Sequence, residues 1–399
     1  MPSDKNSAIN GESLALGSER SVIREIFEYG NARAQLVGRE NVYDFSLGNP
    51  AVATPECIND AIRELVSDSG FNVHGYTSAQ GAPAVRESIA RSINERFRVP
   101  ASADDIYVTC GAAASLTITL NAVCNAGDEV IAFAPFFPEY KVFAEGAGAT
   151  FVAVLPDTDN FQINFDDLER KLSLKTRAVI VNSPNNPSGA VLTESTVLRL
   201  CSVLKEFCDK TGKTVYLISD EPYRELVYDG KNVLYFPEYY ENTIVCYSYS
   251  KSLSLAGERI GYIFVNPAVT GSRDVYAAVC GAGRKLGFVC APSLMQYAVA
   301  KNPHAVSDIS AYRQNRDILY NALCSFGYDC VYPDGAFYLF VRSPIADAKE
   351  FCERAKSLDL LLVPSDSFGC SGFVRISYCV DTNMIRRSLP LFKKLIESL

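Results

Sequence analysis

The chain has 399 residues, 48% of them hydrophobic and 21% charged, with a formal net charge of −8. This balance suits an enzyme with a sizeable core and argues against non-specific binding to nucleic acid or to an anionic membrane, while leaving room for a local basic patch. No apolar run approaches the roughly 18 residues that a membrane span needs, and the 13 cysteines, an odd number without a CxxC pair, read as small core residues of a reducing compartment rather than a disulfide framework.

The polar opening MPSDKNSAINGES lacks an apolar h-region, so a cytoplasmic location is the default expectation. After SLGNP (46–50) and HGYTSAQGAPAVRESI (74–89), seven apolar runs recur between residues 106 and 266: IYVTC, EVIAFA, TFVAVL, RAVIVNS, TVYLISD, TIVCYS and GYIFVN. Helix-like segments such as FDDLERKL and TESTVLRLCSVLKEFCDK separate several of them. The alternation predicts an α/β fold with a mostly parallel seven-stranded sheet covered by helices on both faces. Ligands of such sheets sit beyond the carboxyl ends of the strands. Four motifs fall just there: CGAAASL (110–116), SPNNPSG (183–189), SDEPY (219–223) and SYSKSLSLAGERIGY (248–262). PFFPEY (135–140) places two phenylalanines in a proline-bounded loop, and FVRISYC (373–379) alternates like a half-buried strand. Length allows two to three structural units, with no internal repeat and no low-complexity linker between them.

Lys251 is the most informative position. Two hydroxyls, Ser248 and Ser250, and the guanidinium of Arg259 flank it, a set of phosphate donors beside an amine able to form a Schiff base. That combination points to pyridoxal 5'-phosphate; a solvated basic turn explains SxSK taken alone. Metal chemistry is poorly served, since His74 and His304 are the only histidines and lie far apart in sequence. His74, two residues before Tyr76, is either a cleft residue or a surface-loop residue.

The five motifs from CGAAASL to the Lys251 segment stand in the order found in the fold-type I pyridoxal-phosphate enzymes, and over nearly its whole length the chain resembles their class I/II aminotransferase (aspartate aminotransferase-like) family. In the light of that resemblance Asp220 is expected to keep the cofactor's ring nitrogen protonated. Tyr223 and Asn186 are expected to hydrogen-bond its phenolic oxygen, and Phe137 to stack on the ring. Gly111, Ala112 and Ala113 would offer backbone N–H groups to the phosphate at a helix N-terminus. Tyr76 matches the tyrosine that reaches the phosphate from a neighbouring subunit, which implies a homodimer with shared sites. Arg375 corresponds to the arginine that grips the substrate carboxylate, the planar fork suiting both oxygens. Gly48 resembles a second carboxylate contact, although a turn glycine explains it nearly as well.

The resemblance further implies a large cofactor domain over 51–290 and a smaller α+β domain made of 1–50 with 291–399. Lys251 would carry an aldimine, then act as the base of an aldimine-to-ketimine proton shift, giving ping-pong exchange between an L-amino acid and a 2-oxo acid. Family members that take dicarboxylic substrates add a distal cation, some of them a lysine where this chain has Ala113. Arg284 and Lys285 are other candidates for that charge. With Ala113 neutral, neutral or aromatic amino acids are expected. A carbon–sulfur β-lyase using the same lysine is the alternative. A cofactor-sensing transcription regulator on this fold is disfavoured, because the short stretch ahead of SLGNP leaves no room for a DNA-binding domain.

Overall fold

The computed structural model describes residues 9–18 and 21–399; the first eight residues of the polar N-terminal stretch lie outside that range. Its centre is a seven-stranded sheet of β1 (Ile106–Thr109), β2 (Glu129–Phe133), β3 (Thr150–Val154), β4 (Thr176–Asn182), β5 (Tyr216–Glu221), β6 (Thr243–Ser248) and β7 (Gly261–Val265). The spatial order is β1-β7-β6-β5-β4-β2-β3. Only β7 runs antiparallel to its neighbours, so each of the seven apolar runs supplies one strand of a mostly parallel sheet.

Those runs are continuously apolar because both faces are covered. Ile131, Val179, Val181 and Leu217 face a cluster that includes Val197, Leu200 and Leu204 of helix Glu194–Thr211. The alternate residues Val130, Ala132, Ala178, Ile180 and Ile218 pack with Leu116 and Leu120 of helix Ala112–Val123. The first of these helices starts where Thr193 Oγ1 accepts from Thr196 N at 3.2 Å and stops at Gly212, whose left-handed φ of 66° ends it.

A second, antiparallel sheet is built from β8 (Cys330–Val331), β9 (Tyr338–Arg342), β10 (Val363–Pro364) and β11 (Phe373–Ser377), in the order β10-β11-β9-β8. Helices Ser310–Phe326 and Thr382–Glu397 pack on one another beside it, and their Leu319, Leu323, Phe392 and Leu395 share a core with Phe337, Leu339 and Val374. The segment around Tyr43–Asp44 joins this unit, pairing in parallel with Leu360–Leu361. Helix Ser293–Lys301 belongs elsewhere, because Met295 and Val299 are buried with Ile89, Val108 and Phe264 of the large unit. Among the described residues no helix is long and apolar enough to cross a membrane.

Candidate active site

At the carboxyl edge of the large sheet, where the second sheet closes over it, lies a cavity of about 310 Å³ lined by residues of both units. Lys251, Asp220, Tyr223, Asn186, Ala112, Ala113, Phe137, Ser248, Ser250, Arg259, Arg375 and Gly48 all reach it. Residues drawn from seven separate motifs therefore meet in one place.

Asp220 occupies the end of β5, on the same face as Ile218 and so towards helix Ala112–Val123. It is 5% exposed. Tyr140 donates to its Oδ2 at 2.5 Å, while Oδ1 is buried without a hydrogen-bond partner. Burial pushes its pKa up from 3.8 to about 7, against the Tyr140 hydrogen bond that draws it down. A carboxylate here needs a cationic donor on its free side.

Lys251 follows β6 in the short helix Tyr249–Ser252. Burial lowers its pKa from 10.5 to about 8, with nearby Arg259 and Arg375 acting in the same direction and Cys379 opposing. Its Nζ donates to the Gly48 carbonyl at 2.5 Å and stands 5.5 Å from the centre of the Phe337 ring. Such a lysine is in large part a neutral nucleophile at mildly alkaline pH.

The rim beside it is rich in donors. Gly111 precedes helix Ala112–Val123 with φ 89° and ψ 175°, a conformation open essentially to glycine alone. A Cβ there would come within 2.8 Å of an Arg259 guanidinium nitrogen. Arg259 Nη1 in turn donates to Ala256 O at 2.9 Å and reaches Ser250 Oγ at 3.5 Å, and Ser248 Oγ donates to Ser250 Oγ at 2.7 Å. Two hydroxyls, a guanidinium and a helix N-terminus thus frame one anion-sized corner.

Opposite stands Arg375 on β11, 2% exposed. It donates to Ser46 O at 2.5 Å and to Asn186 Oδ1 at 3.1 Å, and its Nε is buried without an acceptor. Its guanidinium carbon lies 4.7 Å from the centre of the Tyr338 ring and 5.2 Å from that of Phe368. Tyr223 and Tyr338 share a hydrogen bond of 2.8 Å between their hydroxyls.

Other candidates lie elsewhere on the protomer. Tyr76 is 91% exposed and does not line the cavity. His74 is exposed, and His304 pairs with Glu95 at 2.8 Å. Arg284 and Lys285 end helix Ser272–Lys285 in exposed positions; Lys285 donates to Asn121 Oδ1 at 3.3 Å. Neither lines the cavity.

Sequence reasoning passed over Tyr140, Tyr338, Asn182, Leu116 and Ile23. Tyr140 closes the PFFPEY motif, so its signal was within reach. Tyr338, in the apolar strand β9, and Ile23, in helix Val22–Val37, have no local signature. A larger cleft of about 770 Å³ lies between residues 158–162 and 329–334, but both of its cations are paired there, Lys231 with Asp334 and Arg342 with Asp329. The buried polar atoms that lack partners include Asp220 Oδ1 and Arg375 Nε in the smaller cavity and none in the larger cleft.

A doubly covered parallel sheet with an amine, a buried carboxylate and an arginine fork at its carboxyl edge is the scaffold of the fold-type I transaminases. The chain belongs to the family "Aminotransferase class I and II", whose sequence profile matches residues 40–389, and it is a transaminase. An amino transferase from Eubacterium rectale is 53% identical and superposes with a TM-score of 0.96, with 98% of this chain and 99% of that one covered. Aspartate aminotransferase from Thermus thermophilus, solved with maleate, is 26% identical with a TM-score of 0.86 over 97% of this chain and all of the other. Aspartate aminotransferase from Thermotoga maritima is 30% identical over 375 residues, covering 92% of this chain and 94% of the relative. These relatives are named for transamination, which disfavours the carbon–sulfur β-lyase alternative. Membership of the family implies dependence on pyridoxal phosphate.

Proposed function

We propose that the cavity holds pyridoxal 5'-phosphate and that the enzyme moves the amino group of a neutral or aromatic L-amino acid to a 2-oxo acid by ping-pong exchange, as a homodimer. The observation that carries this reading is the partnerless Oδ1 of Asp220. A protonated ring nitrogen is the donor that fits it, satisfying the free acceptor and offsetting the buried negative charge at once. When bound, the cofactor supplies an aldehyde for amine exchange and a ring that draws electrons from the bond being broken.

The chain's own groups divide the remaining work. Tyr140 holds Asp220 in place by its hydrogen bond. The backbone N–H groups of Gly111, Ala112 and Ala113, with Ser248, Ser250 and Arg259, hold the phosphate. Phe137 supplies an aromatic face for the ring. Asn186 accepts from Arg375 through Oδ1, which leaves its amide N–H₂, with the Tyr223 hydroxyl, to donate to the phenolic oxygen. Lys251, its amine made available by burial, would hold the cofactor through Nζ, and the same Nζ, once free, would be the base that takes the proton from the substrate's Cα and returns it. Arg375 grips the substrate carboxylate through its free Nε and adjoining N–H groups, and Gly48 borders the same space. Tyr76, fully exposed on one protomer, is suited to reach the phosphate of a second copy.

The substrate class rests on charge. Among the described residues the cavity's cations are Lys251, Arg259 and Arg375, each already engaged, and Ile23, Leu116, Phe137 and Tyr338 make up much of the remaining wall. Among the described residues no further cation of the same protomer lines the cavity to meet a distal carboxylate, in contrast to what the aspartate-named relatives would need. We draw the boundary of the cofactor unit, expected at 290, after Lys301, since helix Ser293–Lys301 shares that unit's core; the smaller unit then comprises residues up to 50 and those beyond 301. A half-reaction screen tests the reading: neutral and aromatic amino acids should discharge the cofactor's visible absorption faster than aspartate or glutamate. A clear preference for the dicarboxylic pair would overturn the substrate class, and release of pyruvate and ammonia from cysteine without a 2-oxo acid would overturn the reaction type.

A further inference from the structure

Tyr338 has no place in the chemistry above, yet three of its parts touch Tyr338. Its hydroxyl meets the Tyr223 hydroxyl at 2.8 Å. Its ring lies under the Arg375 guanidinium at 4.7 Å. Gly48, whose carbonyl receives Lys251 Nζ, packs so closely that even a Cβ there would lie 2.1 Å from the Tyr338 oxygen. The ring also leans edge-on against Phe337 at 5.0 Å, which fixes its plane between the two sheets. We propose that Tyr338 is a positioning residue that couples the carboxylate-gripping Arg375 to the phenolic-oxygen donor Tyr223.

Proton counting links the two phenols, on the cofactor reading given above. Each phenol has a single proton. When Tyr223 spends its proton on the cofactor's phenolic oxygen, its own oxygen is left to accept, and Tyr338 is the donor within reach. Among the described residues the Tyr338 hydroxyl makes no other hydrogen bond. The groups facing it are Tyr223, Arg375 and Cys379; burial pushes its pKa up to about 12, against the pull of Arg375, so it remains a donor across the working range. A donated hydrogen bond polarises the acceptor's own O–H and makes Tyr223 the stronger donor, which holds down the proton affinity of the lysine–cofactor linkage. The ring does separate work, since its face keeps the guanidinium plane fixed while Arg375 Nε waits for a carboxylate.

Hydroxyl and ring can be separated experimentally in the intact holoenzyme. Tyr338→Phe should raise the pH midpoint of the visible absorption by roughly half a unit, the share of a hydrogen bond lost through cooperativity, with the KM for the amino acid within about twofold of wild type. Tyr338→Leu should raise that midpoint as well and weaken KM roughly tenfold, the scale of a desolvated cation–π contact. A purely structural residue would lower thermal stability and leave the midpoint where it was. An unmoved midpoint in the Phe variant, with a normal titration in the wild type, overturns this inference alone; a wild-type protein without any pH-dependent visible absorption overturns the cofactor reading and this inference with it.

Discussion

Replacing Asp220 by Asn removes one titrating group while nearly preserving its shape. In the cofactor-free protein the carboxyl's pKa stands at about 7 against 3.8, so the proton is held more tightly in the folded chain than in the unfolded one. The stability this contributes is whole below pH 3.8 and is lost as the pH rises through about 7. A rise of about three units, at 1.36 kcal/mol each, amounts to about 4 kcal/mol. An unfolding entropy of about 2.1 cal/mol/K per residue over 399 residues gives about 0.84 kcal/mol/K. Between about pH 4 and pH 8 the Tm of the cofactor-free wild type should therefore fall about 5 °C more than that of Asp220→Asn. Loading with pyridoxal phosphate sets a cation opposite Oδ1 and should erase the difference in slope. Calorimetry of both proteins, with and without cofactor, reads all four curves. Parallel pH profiles for the two cofactor-free proteins would refute the burial argument, and a slope that survives loading would refute the pairing.

Lys251→Ala should abolish turnover while leaving the fold and its melting transition in place, and wild-type-like rates in that variant would remove the lysine from the chemistry. Because burial lowers the Lys251 pKa to about 8, capture of the aldehyde by the cofactor-free enzyme should accelerate with a pH midpoint near 8; a midpoint near 10.5 would mean an ordinary exposed amine. Gly111→Ala forces a side chain into φ 89° against Arg259, which should cost about 1–3 kcal/mol and weaken cofactor binding in a fluorescence titration, so unchanged Tm and affinity would count against the phosphate corner. Gly48→Ala drives a methyl into Tyr338 and Phe337, and the overpacking should lower stability by about 1–3 kcal/mol in urea unfolding; a neutral effect would show that this part of the smaller unit packs more loosely than its contacts indicate.

The fold was legible because a parallel sheet covered on both faces must be written as uninterrupted apolar runs, and long crossovers, most of them helical, must return the chain between parallel strands. All seven runs became strands, and FDDLERKL and TESTVLRLCSVLKEFCDK became the helices Phe165–Lys171 and Glu194–Thr211. The antiparallel course of β7 was not legible, because strand direction leaves no trace in composition. The candidate site was partly legible for a related reason: ligand groups follow strand ends, so short motifs there stand out even in a single sequence.

Local order along the chain thus determined which segments are strands, which loops follow them, and which polar groups those loops carry. Folding alone decided what those groups touch. Tyr140 reaches Asp220 across 80 positions, Tyr338 reaches Tyr223 across 115, Arg375 reaches Asn186 across 189, and Lys251 reaches the Gly48 carbonyl across 203. Helical and strand periodicities repeat within a few residues, so contacts at such separations impose no pattern on the neighbouring sequence. The unpartnered acceptor of Asp220 and the altered basicity of Lys251 are likewise products of burial, which exists only once the two sheets have closed on one another.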